Sequence, residues 1–189
     1  MGRRFAAIAF TAEVRRQQDR HGSRALYARV QERGSDDAAL GAQEAEFLSR
    51  ANGFYIATVG ENGWPYVQHR GGPRGFLRVL SPSRIGFADF RGNRQYVSVG
   101  NAVNSDRAAI IVMDYANPRR LKLLGHLRFV DVSEAEPALV HALHLPGYPA
   151  KVERIALIDV VGFDWNCPQH ITRRFTLDEQ PLNEGGKHA

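Results

Sequence analysis

A hairpin pattern near residue 60 constrains the fold of this chain more than any other feature. The run Phe54–Val59 is rich in β-branched and aromatic residues, and a second strand-like run follows at Trp64–His69. Between them stands Gly60-Glu61-Asn62-Gly63, whose Asn-Gly pair is typical of a tight turn between antiparallel strands. The chain is therefore predicted to contain an antiparallel β-hairpin.

Five further segments have the composition of strands, and turns with glycine or proline separate them. They are Phe76–Leu80, Arg84–Asp89, Ala108–Asp114, Leu121–Asp131 and Arg154–Phe163. Only short helices are predicted between them, at residues 93–104 and 134–143. This order favours a mainly β fold, an antiparallel barrel or sandwich, over a parallel sheet with crossover helices.

The first part of the chain has a different character. Residues 5–33 carry scattered apolar positions among Arg, Gln and Glu, which predicts helix, and Gly22-Ser23 interrupts it. A third helix is predicted from about Gly41 to Ala51, where Asn52-Gly53 is a typical helix end. Helices therefore precede the β region.

Composition excludes several classes of protein. Of the 189 residues, 43% are hydrophobic and 24% charged, which is typical of globular chains and not of disorder. No apolar run approaches the roughly 18 residues that span a bilayer, and the patch Phe5–Phe10 is too short for a secretory signal. The single Cys167 excludes a disulfide framework within one chain, so we expect a cytoplasmic protein with no membrane partner.

The chain is basic, and the positive charge lies mainly in its middle. The formal net charge is +5. Residues 64–128 contain 11 Lys or Arg against three acidic residues. Such a balance suits either nucleic acid or a small ligand that carries phosphate. No basic and aromatic motif of a nucleic-acid binder occurs, so we expect no nucleic-acid partner.

Two turns combine glycine with basic residues after a strand. Gln68–Pro73 can bring a ligand close to the backbone, although by residue type alone an ordinary wide turn is the better interpretation. Asp89–Gln95 leaves a strand and enters a predicted helix, where backbone N–H groups and Arg94 suit an anion. An ordinary turn capped by Asn93 explains that second segment equally well.

A third segment, Asp164–Ile171, places Trp165 among amides before Arg173 and Arg174, a composition that suits stacking on a planar ring. Cys167 and His170 have metal-like spacing, but two ligands do not make a zinc site, so no metal is predicted. Cys167 is expected to be a small buried hydrophobic residue. Dinucleotide, P-loop, zinc-protease and serine-hydrolase motifs are missing from the sequence.

These segments resemble the pyridoxamine 5′-phosphate oxidase-like family of FMN-binding split barrels. The resemblance lies in residues 63–73, 86–96, 120–125 and 164–171. It implies a six-stranded antiparallel split β-barrel and a homodimer with FMN at the subunit interface. It divides the chain into an N-terminal helical extension at 1–38, an FMN-binding split-barrel domain at 39–176 and a polar C-terminal tail at 177–189.

The resemblance also implies a set of cofactor-binding residues. They are Gln68, His69, Arg70, Gly71, Ala88, Asp89, Asn93, Arg94, Gln95, Arg120, Leu121, Trp165, Arg173 and Arg174. Arg94 and Gln95 match the family's basic pair that binds phosphate, with Gln in place of the usual Lys, and Arg70 can supply the missing charge. Arg120 and Leu121 match the position where the partner subunit touches the flavin.

The family implies an FMN-dependent oxidoreductase that takes a small-molecule substrate or electron donor. Residues that would hold pyridoxamine phosphate have no convincing match here, so the substrate and the catalytic residues stay unassigned. The family also includes deazaflavin-dependent enzymes, haem-degrading proteins and flavin reductases. A flavin-binding or sensing protein without turnover, and a deazaflavin-dependent reductase, are the alternatives.

Overall fold

The computed structural model describes residues 1–37 and 39–179. The helices are Arg3–Ala9 (α1), Ala12–Arg20 (α2), Arg24–Arg33 (α3), Ala42–Ser49 (α4), Val97–Asn104 (α5) and Pro137–Leu143 (α6). The strands are Gly53–Val59 (β1), Pro65–Gly71 (β2), Arg78–Ser81 (β3), Arg84–Phe90 (β4), Arg107–Asp114 (β5), Arg119–Asp131 (β6) and Val152–Trp165 (β7). No helix within these residues is both long and apolar enough to cross a bilayer.

All strands belong to one antiparallel sheet with the order β2-β1-β5-β6-β7-β4-β3. The predicted hairpin is confirmed, with Gly53 opposite Gly71 and Val59 opposite Pro65. The mainly β fold is confirmed, and the described residues form the seven strands that composition predicted, one more than the six that the family resemblance implied. Composition predicts a strand at Phe76–Leu80, and the structure places the four-residue β3 there, two residues later in its start, paired only with β4 at the edge of the sheet.

The core lies inside the curved sheet. Alternate residues of β1 point inward, and Phe54 stacks on Phe76 and meets the edge of Phe87 at ring distances of 5.8 and 5.3 Å. Helix α4 packs against this interior through Phe47 and Leu48, both of which are buried. Aromatic contacts of this kind add to the free energy gained from burying the rings.

The N-terminal helices pack on the outer face of β7 through α1. Asp37 is 1% exposed and accepts hydrogen bonds from the backbone N–H groups of Arg4 at 2.8 Å and Phe5 at 2.7 Å. Gly162 allows this close approach, because a β-carbon there would lie 2.8 Å from the Phe5 nitrogen. Residues 180–189 of the predicted polar tail lie outside the described residues, as does Ala38.

Side chains, not backbone pairs, join β2 to the other end of the sheet. Among the described residues, no backbone ladder connects β2 to β3 or to β4. Arg70 instead reaches across to Asp89 at 2.7 Å, and Ser98 of α5 donates a hydrogen bond to Gln68 at 3.0 Å. We call this junction between β2 and the end of β4 the seam.

Candidate functional site

Asp89 is the centre of a buried charge cluster at the seam. Its carboxylate is 1% exposed and accepts hydrogen bonds from two arginines. Arg70 donates from Nη1 at 2.7 Å, and Arg154 donates from Nε at 2.9 Å and from Nη2 at 2.8 Å. Both Arg154 donors meet Oδ2 and the Arg70 donor meets Oδ1, so each carboxylate oxygen has a charged partner.

Arg154 lies on β7 directly opposite Asp89 on β4. Its guanidinium stacks over the ring of Tyr96 at 4.8 Å and also pairs with Glu153. Burial lowers the pKa of Arg154, but hydrogen bonding and charge attraction from Asp89 outweigh burial and the net shift is upward. Arg154 is therefore a fixed cation at every physiological pH.

The loop that follows β4 carries the predicted phosphate residues. Asn93, Arg94 and Gln95 are all exposed, and the Asn93 side chain accepts a hydrogen bond from the Gln95 N–H at 3.2 Å. Arg94 and Tyr96 both adopt positive φ, at 64° and 53°, a conformation that is uncommon outside glycine. The Arg94 guanidinium has neither an ion pair nor a hydrogen bond within the described residues.

Helix α5 begins directly after this loop. Its N-cap residue, Tyr96, provides no side-chain hydrogen bond to the helix. The first N–H groups of a helix have no partner within the helix, so the start of α5 presents unpaired donors beside Arg94. The loop and the helix start together suit an anion.

The predicted residues of β2 lie on two faces. Gln68 and Arg70 face the seam, whereas the exposed His69 lies on the opposite face with its ring 5.3 Å from that of Tyr55. The space over Gly71 is filled by this histidine, because a β-carbon there would lie 2.9 Å from His69 Cε1. The glycine therefore makes room for a side chain of the protein itself.

The outer side of the sheet around His69 is apolar. We call this surface the apolar face, and its residues surround a shallow cavity of about 300 Å³. They are Tyr55, Ala57, Val67, Ala109, Ile111 and Leu124. Val67 is 62% exposed, and Lys122 at the margin rests over the ring of Phe5 at 5.4 Å. An exposed apolar patch on a sheet is typical of a surface that binds a ligand or another protein.

Three groups that can carry a proton lie at one end of the apolar face. The Tyr55 ring lies 5.3 Å from the His69 ring, and Tyr55 is also close enough to Tyr115 to affect its phenol. Burial raises the pKa of the Tyr115 phenol, and Tyr55 raises it further, while Arg174 acts in the opposite direction. Tyr115 therefore remains a neutral phenol, able to donate a proton, at neutral pH.

The two predicted residues of β6 differ in environment. Leu121 is completely buried in the core, so its side chain faces the barrel interior. The Arg120 side chain is half-buried, and its Nε is a buried donor with no partner among the described residues. Such an orphaned donor is costly unless something outside the described residues binds it.

Trp165 lies at the end of β7 opposite to Arg154. The two residues are eleven positions apart along β7, a distance of roughly 36 Å in a fully extended strand. Trp165 donates from Nε1 to Glu44 at 2.7 Å and meets Phe47 edge-on at 4.8 Å. Within one chain, the structure does not bring Trp165 together with the seam cluster.

The segment after β7 is exposed. Arg173 is exposed, and Arg174 lies over the ring of Tyr115 at 5.2 Å. The prediction that Cys167 is buried is wrong, because the strand ends at Trp165 and the irregular chain before Pro168 leaves the thiol exposed. Ala88, by contrast, is buried in β4 next to Asp89.

Sequence reasoning missed Arg154, Tyr96, Tyr55 and Tyr115. Arg154 carried a weak signal, because a charged residue at the start of an otherwise apolar strand needs a buried partner. The tyrosines carried none, since their roles depend on which strands are neighbours.

Comparison with solved structures identifies the fold, but the matching chains have low sequence identity to this one. HupZ of Group A Streptococcus superposes with a TM-score of 0.52 at 12% identity, over 72% of this chain and 99% of that chain. The chain has the split-barrel fold of the pyridoxamine 5′-phosphate oxidase-like proteins. The predicted resemblance is thus confirmed for the fold.

Two further solved structures with lower TM-scores have names that mention a cofactor. A pyridoxamine 5′-phosphate oxidase-related, FMN-binding protein from Nostoc punctiforme is 17% identical, with a TM-score of 0.47 over 67% of this chain and 84% of that chain. An F420 reductase is 19% identical, with a TM-score of 0.46 over 66% of this chain and 98% of that chain. No protein-family model matches the sequence. A comparison with curated proteins likewise found no match.

Proposed function

We propose that this protein is an FMN-binding oxidoreductase that works as a homodimer. The observation that carries the proposal is the position of β2 between two complementary surfaces. Val67 and His69 belong to the apolar side, and Gln68 and Arg70 belong to the cationic seam. A ligand with a flat apolar ring at one end and a phosphate at the other has chemistry that matches both surfaces.

The residues at the seam fit a phosphate. Four guanidinium groups, those of Arg70, Arg91, Arg94 and Arg154, accompany the two carboxylates of Asp89 and Glu153, which leaves a net charge of +2. Arg94 is unpaired within the described residues, and the start of α5 adds backbone donors. Arg94 and α5 would hold the phosphate, while Asp89 keeps Arg70 and Arg154 in place.

The apolar face fits the ring, and a second subunit would cover it. One copy of the chain leaves Val67 exposed on an open sheet face, whereas a flavin ring needs apolar surfaces on both sides. The unpaired Nε of Arg120 lies on β6 at the position that the family resemblance assigns to contact from the partner. A two-fold pair of these faces would enclose the ring between subunits.

When bound, FMN would supply the electron transfer, and the protein would position it and control access of water. His69, Tyr55 and Tyr115 are the groups of this chain that can hold or donate a proton at that end of the face. We place the protein in the cytoplasm, because its one cysteine cannot form a disulfide within the chain.

The visible absorption spectrum of the purified protein, before and after FMN is added, tests the proposal. We expect a flavin spectrum and a stoichiometry of one FMN for each chain. A protein that remains colourless and takes up no FMN would refute flavin binding. Mass spectrometry of the released ligand distinguishes FMN from F420, and steady-state oxidation of NAD(P)H distinguishes an enzyme from a flavin-binding sensor.

A further inference from the structure

A second cavity, which is polar, lies beneath α4 and reaches the end of the apolar face at Tyr115. Its volume is about 390 Å³, within the usual range for sites that bind small molecules. Its walls come from α4, from the end of β5 with the following turn, and from the segment Arg174–Glu179, which we call the strap. We call this space the arginine cavity, because Arg50, Arg74 and Arg119 all line it.

Arg119 is prepared to receive an anion. Its guanidinium lies 4.6 Å over the Trp165 ring and 5.4 Å from the Phe47 ring centre, and these two rings are themselves packed edge to face. Within the described residues it forms no ion pair and donates no hydrogen bond. Its position is fixed by the rings while its donors remain available, which is the arrangement that recognises a planar carboxylate with little loss of entropy.

The strap crosses the cavity and is attached at two points. At one point, the Arg174 N–H donates to the Tyr115 carbonyl at 3.3 Å, and its guanidinium covers the tyrosine ring. At the other, Arg74 donates to Glu179 at 2.6 Å and lies 3.4 Å from Asp178. Phe175 and Thr176, between these points, line the cavity. Both attachments involve partly exposed side chains, so each is weak.

The charged side chains that line the cavity sum to zero only while the strap is in place. Three arginines line it together with three carboxylates, those of Glu46, Asp114 and Glu179. Glu46 pairs with Arg50 on the same helix, and Asp114 accepts two hydrogen bonds from Asn117. Removal of Glu179 leaves one positive charge in excess. A hydrogen bond from the Thr176 N–H lowers the pKa of Glu179, so this carboxylate is charged at neutral pH.

We propose that the arginine cavity binds a small aromatic carboxylate, and that Glu179 of the strap occupies the place of that carboxylate when no ligand is present. The ring of the ligand would lie among Phe47, Tyr115 and Phe175, and its carboxylate would meet Arg119 and Arg74.

The cavity shares no lining residue with the seam or with the cavity on the apolar face, although Tyr115 lies next to Tyr55 where the two surfaces meet. Trp165 and Arg174, which hold Arg119 and the strap, belong to the residues that the family resemblance assigns to the cofactor, so competition with FMN is part of the test.

Calorimetric titration with benzoate tests this proposal, with the neutral isostere benzamide as the matched ligand. The wild type is expected to bind benzoate at least tenfold more tightly than benzamide, because only the anion pairs with the arginines. The substitution Arg119→Gln should weaken benzoate by at least tenfold and leave benzamide unchanged. Should that variant fail to fold, Arg74→Gln tests the same attraction at an exposed position.

A substitution in the strap distinguishes a ligand-binding cavity from one with only a structural role. Glu179→Gln should tighten benzoate binding by about two- to fivefold, the worth of an exposed ion pair that no longer competes. Glu61→Gln, in an exposed turn outside the cavity, should leave the affinity unchanged. The proposal is overturned if benzoate fails to bind, if benzamide binds equally well, if Glu179→Gln has no effect, or if FMN displaces benzoate. Displacement by FMN would assign the cavity to the flavin.

Discussion

Asp89 holds two arginine side chains at a position that water barely reaches. Its hydrogen bonds to Arg70 and Arg154 connect three strands that are far apart in the sequence. A carboxylate in such surroundings contributes chiefly by preventing two cations from remaining buried without a partner.

Asp89→Asn is therefore expected to destabilise the protein by about 3 kcal/mol, the usual cost of removing one partner from a buried ion pair. The free energy of unfolding in urea measures this change. Asp159→Asn is the matched control, because Asp159 also pairs with an arginine, Arg84, but both of these side chains are 41% exposed. The control should lose less than about 1 kcal/mol. Equal losses would show that burial at the seam is unimportant.

Arg94 differs from the other arginines of the seam because it has no partner within the described residues. Arg94→Ala should weaken FMN binding by roughly 1.5–3 kcal/mol, the usual contribution of a charged hydrogen bond. Arg20→Ala, on an exposed part of α2, removes the same charge elsewhere and should have no effect. Unchanged affinity in Arg94→Ala would move the phosphate site toward Arg70. The quenching of FMN fluorescence on binding measures the affinity of both variants.

At the scale of elements, local sequence patterns predicted the strands better than they predicted the arrangement of the site. The hairpin at β1 and β2 followed from its Asn-Gly turn, and the strand composition correctly predicted β4 to β7. Seam geometry was not predictable, since Arg154 meets Asp89 only through the pairing of β7 with β4. The same holds for His69, where one residue along β2 decides between two faces.

Gly125 lies at the irregularity in the pairing of β6 with β7, where the register shifts. A β-carbon there would lie 2.7 Å from the Asp159 carbonyl oxygen and 2.7 Å from Ile158 Cγ2. Gly125→Ala should cost about 1–3 kcal/mol of stability through overpacking. Gly100→Ala, on α5 with no atom within 4 Å of the new carbon, should instead be neutral or stabilising by up to about 1 kcal/mol. Thermal unfolding of the two variants distinguishes them.

Asp37 fastens the N-terminal helices to the barrel by accepting the N–H groups of Arg4 and Phe5. Asp37→Ala should cost about 1–2 kcal/mol, as for other lost helix caps. Hydrogen exchange at these two amides should accelerate while that of β6 stays slow. Asp19→Ala, at an exposed position of α2, is the control. Unchanged exchange at Arg4 and Phe5 would show that the cap does not hold α1.

For the whole molecule, the apolar face predicts association of two copies. Val67→Glu places a charge at its centre and should convert a dimer into a monomer, as measured by light scattering after size-exclusion chromatography. Val103→Glu adds the same charge at a position on α5 that is 83% exposed, and should leave the dimer intact. A wild-type monomer, or a dimer that survives Val67→Glu, would place the interface elsewhere.

The seam gives this barrel an adjustable circumference. A barrel closed by a continuous hydrogen-bonded ladder has its width set by strand number and stagger. Here the link across the gap is the ion pair of Arg70 with Asp89, since Arg154 lies on β7, which already pairs with β4 through the backbone. The width of the gap therefore depends on the reach of one arginine side chain and not on a strand register, so a shorter cation at position 70 would change it while every backbone ladder stays intact.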